Sequence, residues 1–233
     1  MRTLLTAAVA TILLGPATAS AAEPLVFWGV QAEQLEWRTG DDADLAAWEA
    51  EAFAGADELQ AVWRSRGEWD PDEDSFEKLE NQARLRVPVS DFFDASAGIS
   101  VSTPHGPDRL YGVVGIEGLT PQWVELNADA FLSDRPFLRV EAEYEALITN
   151  RIVLSPLLEI ELPLVDDTAI GAAAWGPTVE LGARLGYDLV DRAISPYVGI
   201  HWERAFGDTA DLRRAAGQDI DELFVVVGTR LMF

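Results

Sequence analysis

The 233-residue chain carries 40 acidic against 17 basic side chains, a formal net charge of −23, and 48% of its residues are hydrophobic. That apolar content excludes a wholly disordered chain, and the acidity excludes general nucleic-acid binding because phosphate backbones would be repelled over most of the surface. With no cysteine and two histidines, disulfide frameworks, thiolate metal sites, cysteine nucleophiles and His-rich metal cages are also excluded.

Residues 1–22 read as a secretory signal peptide. Arg2 precedes an apolar run from Leu4 to Leu14, Gly15-Pro16 breaks it, and small residues follow up to the Ala19-x-Ala21 cleavage pattern. The run is too short to span a membrane as a helix, and no later segment reaches the eighteen or so apolar residues that a spanning helix needs. Residues 23–233 are therefore expected to form a single domain, and any crossing of a membrane must be made by strands.

From Phe27 onward, apolar and polar residues alternate in stretches of about ten, divided by Gly, Pro, Asp and Asn clusters, which is the signature of strands and hairpins. Six strands are expected in the first half, over residues 27–38, 45–54, 58–69, 75–88, 92–103 and 109–119. Six more follow over 122–133, 136–147, 151–163, 175–189, 195–206 and 221–233. The clearest is 136–147. Leu138, Val140, Ala142, Tyr144 and Ala146 fall on one face and Arg139, Glu141, Glu143 and Glu145 on the other, a segregation that a period of 3.6 cannot produce. The segment 207–220 is read as a joining loop.

Alternation does not say which face is inside. A secreted soluble β-sandwich buries its apolar face, whereas a membrane barrel turns that face to lipid and lines its lumen with charge. Three features favour a closed antiparallel transmembrane β-barrel of about twelve strands. Strands of about ten residues match a tilted membrane crossing rather than the shorter strands of soluble sheets. Trp37, Trp63, Trp123, Trp202 and Phe233 lie near strand ends, where amphipathic rings prefer the headgroup level. The last strand places Val225, Val227, Thr229, Leu231 and Phe233 on one face, and a closed barrel requires it to meet the first.

On this reading the lumen carries Glu36, Glu49, Glu51, Glu80, Glu125, Asp129, Glu141, Glu143, Glu145, Glu159, Glu161, Glu180, Asp188 and Glu203 against Arg64, Arg66, Arg84, Arg86, Arg139, Arg184 and Arg230. Arginine–carboxylate ladders across neighbouring strands would stiffen the wall and narrow a pore, while acids in excess would bind or conduct cations. His201 and Glu203 share the lumen face two residues apart. An imidazole and a carboxylate suit a divalent transition metal, and Glu141 and Glu143 complete the candidate metal-ligating set. His105, in Pro-His-Gly-Pro, is expected in an exposed turn. No Gly-x-Ser-x-Gly, phosphate loop or His-Glu-x-x-His pattern is present, so no enzyme is expected.

Several runs resemble the copper resistance protein B family. They are Gln34-Leu-Glu-Trp-Arg-Thr-Gly-Asp41, Trp48-Glu-Ala-Glu-Ala52, Ala130-Phe-Leu-Ser-Asp134, Arg139-Val-Glu-Ala-Glu-Tyr-Glu145 and, most closely, the run from Ser195 to Asp211 containing Pro-Tyr-Val-Gly, Trp-Glu-Arg and Phe-Gly-Asp-Thr-Ala-Asp. The resemblance implies a protein of the outer membrane of Gram-negative bacteria, in contact with lipid, that binds or passes copper ions and works with periplasmic copper-resistance proteins. The family's Met- and His-rich segment ahead of the barrel is not expected here, because the mature chain would begin almost directly with the first strand. Copper passage or transient holding in the acidic lumen is thus the expected role. A general cation-permeable or purely structural barrel and a soluble β-sandwich binding module are the alternatives.

Overall fold

The computed structural model describes residues 25–41, 43–103 and 106–233; the expected signal peptide and His105 lie outside the described residues. Twelve strands form one closed antiparallel ring. They are β1 (Phe27–Thr39), β2 (Asp44–Ala56), β3 (Leu59–Asp70), β4 (Ser75–Pro88), β5 (Phe93–Ser102), β6 (Arg109–Leu119), β7 (Val124–Leu132), β8 (Phe137–Tyr144, resuming at Ala146–Leu147), β9 (Ile152–Pro163), β10 (Thr178–Tyr187), β11 (Ile194–Ala205) and β12 (Asp221–Met232). Each strand pairs with its chain neighbours, and β1 closes the ring by pairing with both β2 and β12. All twelve expected segments are strands, with ends displaced by at most three residues.

The orientation of the alternating faces is settled by exposure. Val225, Val227, Ile99, Leu85, Val198 and Ile200 are all exposed on the outer wall, whereas Glu36, Arg84, Asp129, Glu159 and Arg184 on the opposite face are buried. A soluble sandwich would show the reverse. This is therefore a transmembrane β-barrel, apolar outside and charged within. The expected aromatic positions Trp37, Trp63, Trp123 and Phe233 stand exposed on the outside, and the Phe233 backbone is hydrogen-bonded to Val30.

Two local features set the phase of the walls. In β1 the pairing with β2 jumps from Ala32↔Ala50 to Gln34↔Glu49, so Glu33 is an extra residue, and both Gln31 before the bulge and Gln34, Glu36 and Arg38 after it serve the lumen side. On the outer wall Gly67 lies under the Trp48 indole, which donates from Nε1 to Ser65 Oγ at 3.1 Å and meets Phe76 edge-on. A glycine is required there because a Cβ would collide with the ring.

With an even strand number, both ends of the sheet's chain lie at one end of the barrel. The connections at that end are short, over residues 57–58, 89–92, 120–123, 148–151 and 188–193. Those at the other end include 164–177 and 206–220. The second of these long loops contains a helix, α1 (Gly207–Ala216), where only a loop was expected. Asp208 in its first turn, Arg213 and Arg214 in its last, and the left-handed C-cap Gly217 are ordinary helix signals. Thr209 docks the helix: its Oγ1 accepts from Ala173 N at 2.9 Å and donates to Gly176 O at 2.6 Å. From the helix, Arg213 reaches Glu203 at 3.3 Å.

Candidate metal-binding lumen

Successive strands project acids and bases inward, and the closed ring lets long side chains meet across its width. Arg66 on β3 donates to Glu49 on adjacent β2 at 2.6 Å, and also to Glu141 on β8 at 2.7 Å and to Glu159 on β9, on the far side of the ring. Arg139 on β8 reaches Glu80 on β4 at 2.9 Å and Glu161 on β9 at 3.0 Å. Arg64 joins Glu51 at 2.7 Å and also Glu117. Arg184 and Arg38 flank Glu36, which accepts from Arg184 Nε at 2.9 Å, from Arg38 Nε at 2.8 Å and from the Tyr197 hydroxyl at 2.9 Å. Neighbouring-strand ladders were expected from the alternation; the diametric bridges are additional.

The lumen is consequently divided. Glu49, Arg66 and Arg139 line cavities on both sides and so form a septum between them. Toward the turn end lie a cavity of about 380 Å³ that includes Glu33, Glu125, Glu141 and Glu143, and another of about 490 Å³ that includes Arg184, Asp188, Tyr197 and Arg230. Toward the loop end lies a chamber of about 80 Å³ that includes Glu68, Lys78, Glu180, His201, Glu203 and Arg213. On the β6–β8 side, Phe131 and Phe137 stack at 4.1 Å with Tyr111 edge-on to both, and Arg139 lies 4.8 Å over the Phe131 ring. This apolar filling of part of the lumen was not expected from sequence.

The four candidate ligands fall on different sides of the septum. Glu141 is held by Arg66, and Glu143 accepts from Arg230 on β12. His201 and Glu203 share the loop-end chamber, but Glu203 turns to Lys78 Nζ at 3.1 Å and Arg213 at 3.3 Å. The carboxylate nearest His201 is Glu180, whose Oε2 lies 3.4 Å from Nε2. His201 is 1% exposed, and neither ring nitrogen makes a hydrogen bond. Arg38, Glu68, Lys78 and Glu117 join the lumen in addition to the residues expected there.

A separate trio, Asp70, Glu73 and Glu77, brings carboxylate oxygens within 4.8 Å of one another at the loop between β3 and β4. Asp70 Oδ1 is engaged there by the backbone N–H groups of Asp72 and Glu73.

Barrel closure, an apolar exterior and a lumen filled with ion pairs define a porin-like transmembrane barrel whose interior is partitioned rather than open. A solved NanC porin is similar in fold, with a TM-score of 0.55 and 11% identity, covering 88% of this chain and 99% of that one. The sequence is more particular. Residues 26–233 match the family model described as copper resistance protein B precursor (CopB), and the chain belongs to that family. It is 32% identical over 204 residues to a copper resistance protein B homolog of Pseudomonas syringae pv. tomato, covering 87% of this chain and 68% of that protein. It is 29% identical over 203 residues to copper resistance protein B of Escherichia coli, covering 86% of this chain and 68% of that protein.

Proposed function

We propose that this chain is a non-enzymatic outer-membrane protein of a Gram-negative bacterium that confers copper tolerance by holding copper ions in its acidic lumen and passing them between the two sides of its septum. Family membership supports the copper role. The observation that carries the site is His201, a buried imidazole whose nitrogens make no hydrogen bond and whose Nε2 faces Glu180 Oε2 at 3.4 Å in the loop-end chamber. Imidazole and carboxylate donors together suit divalent copper, whose affinity for such sites exceeds that of its first-row neighbours.

The septum bears on the mode of action. Arg66 and Arg139 stand between the chambers, so an ion moves from one to the other only when these guanidinium groups exchange partners. Stepwise binding fits this arrangement better than free diffusion through an open pore.

The deciding test is a strain lacking the protein. Copper sensitivity with altered copper accumulation, and unchanged resistance to detergents and to other cations, is the expected result. A general loss of envelope integrity, or no copper phenotype at all, favours the purely structural barrel, a reading that the density of ion pairs also accommodates. For the residues, His201→Ala with Glu203→Gln should weaken copper binding in calorimetric titration while heat-modifiable gel migration still reports an assembled barrel. An unchanged titration removes both residues from the proposal.

A further inference from the structure

The loop-end chamber contains a second cation-related feature. Three carboxylates from three strands converge on one ammonium: Lys78 Nζ on β4 lies 3.1 Å from Glu180 on β10, 3.1 Å from Glu203 on β11 and 3.6 Å from Glu68 on β3. Two of these acids have another cation at hand, since Glu68 accepts from Arg38 at 2.7 Å and Glu203 from Arg213 at 3.3 Å. Glu180 is divided differently, with Oε1 toward Lys78 and Oε2 toward the His201 imidazole.

We propose that the Lys78 ammonium is a tethered stand-in for a divalent metal ion, and that Cu(II) displaces it to bind His201 together with Glu180, Glu203 and Glu68. This rests on the copper reading of the lumen and names the ligand set and the competitor at that site. The imidazole supplies the independent pointer. A ring 1% exposed whose nitrogens lack hydrogen-bond partners offers a lone pair inside the chamber, and buried polar atoms are ordinarily paired. The carboxylates already surround a positive charge, so exchange of ammonium for metal keeps their electrostatic environment satisfied.

The exchange is sterically open, because 42% of the Lys78 side chain is exposed to the lumen and its flexible stem can swing aside. It also has a mechanical consequence. Lys78 ties β4 to β10 and β11 across the ring, and metal entry exchanges that tether for one through Glu68 that joins β3 to β10 and β11.

The test titrates Cu(II) into the untagged, detergent-solubilised barrel and follows calorimetry and electron paramagnetic resonance. Lys78→Ala should bind Cu(II) about tenfold tighter or more, the scale expected when a close competing charge is removed from a partly desolvated site. Lys78→Arg, which keeps the charge, should bind no tighter than the parent protein. His201→Ala should weaken binding in both the parent and the Lys78→Ala backgrounds and abolish nitrogen superhyperfine splitting, whereas His105→Ala should retain it. Unchanged or weaker binding by an assembled Lys78→Ala barrel overturns the proposal. Should Lys78→Ala fail to assemble, the spectrum of His201→Ala decides, and splitting that survives in it is refuting. Copper sensitivity of the deletion strain with binding indifferent to Lys78 and His201 overturns this inference alone; absence of copper sensitivity overturns the functional reading instead.

Discussion

Arg84 and Asp129 form one of the deeply enclosed ion pairs of the lumen, so its disruption tests whether the interior network holds the barrel together. The two side chains are 1% and 6% exposed, and the contact is bidentate, with hydrogen bonds of 2.7 and 2.6 Å between β4 and β7. Arg84 also donates to Gln82 at 2.5 Å and to Ser96 at 3.2 Å. Arg84→Met keeps the volume of the stem and removes every donor, stranding the Asp129 charge. Breaking one side of such a buried pair costs about 3–5 kcal/mol, against about 0–1 kcal/mol for a solvated pair. Replacing both partners, as Arg84→Met with Asp129→Leu, should return stability to within about 1–2 kcal/mol of the parent, since no charge is left unpaired. Denaturant unfolding in lipid vesicles, followed by the fluorescence of the eight tryptophans and by heat-modifiable migration, gives these differences. A single-variant loss below about 1 kcal/mol, or a double variant no better than the single, would show that lumen water screens the pair and that the network adds little to stability.

The septum predicts a low ion conductance for the parent protein in planar bilayers and a clear rise for the Arg66→Ala, Arg139→Ala double variant; equal currents would mean that the diametric bridges do not obstruct the lumen. On the outer wall, Gly67→Ala should cost about 1–3 kcal/mol by driving the Trp48 indole from its seat and breaking its bond to Ser65, measured by the same unfolding assay, and a neutral outcome would show that the ring relocates freely. At the loop end, Thr209→Val removes the hydrogen bonds that seat α1 and should speed proteolysis between β11 and β12 without altering barrel migration; unaltered cleavage would mean that the docking rests on other contacts.

The fold was legible because lipid and lumen impose opposite polarity on alternate residues, so every strand carries its own record of which face is outside. Strands such as β8, with Arg139, Glu141 and Glu143 alternating against Leu138, Val140 and Ala142, left no ambiguity of period. Arg38, Glu68 and Lys78 are in phase with Glu36, Arg66 and Glu80, so the same alternation also places them in the lumen although the expected set stopped short of them. The partners of these charges were beyond reach. Arg66 and Glu159 are 93 residues apart and meet only because twelve strands set β3 and β9 opposite each other. For the same reason the four candidate ligands could be assigned to the lumen but not to the two sides of its septum. The helix α1 was masked by a loop context, although Asp208, the Arg213-Arg214 pair and Gly217 carried its signals.

An acidic lumen alone would favour any small cation, and under the proposed metal exchange the intramolecular bases are what would make this one discriminating. A monovalent ion entering the loop-end chamber must compete with an ammonium already fixed within about 3.1 Å of Glu180 and Glu203, at no cost in translational entropy to the protein. Sodium or potassium, with one charge, offers these carboxylates nothing that Lys78 does not already supply. A divalent transition metal offers twice the charge and a bond to the neutral His201 nitrogen, which ammonium and alkali ions cannot form with comparable strength. On the proposed exchange, the tethered bases set a threshold, and the His201 imidazole lets one chemical class of ion cross it.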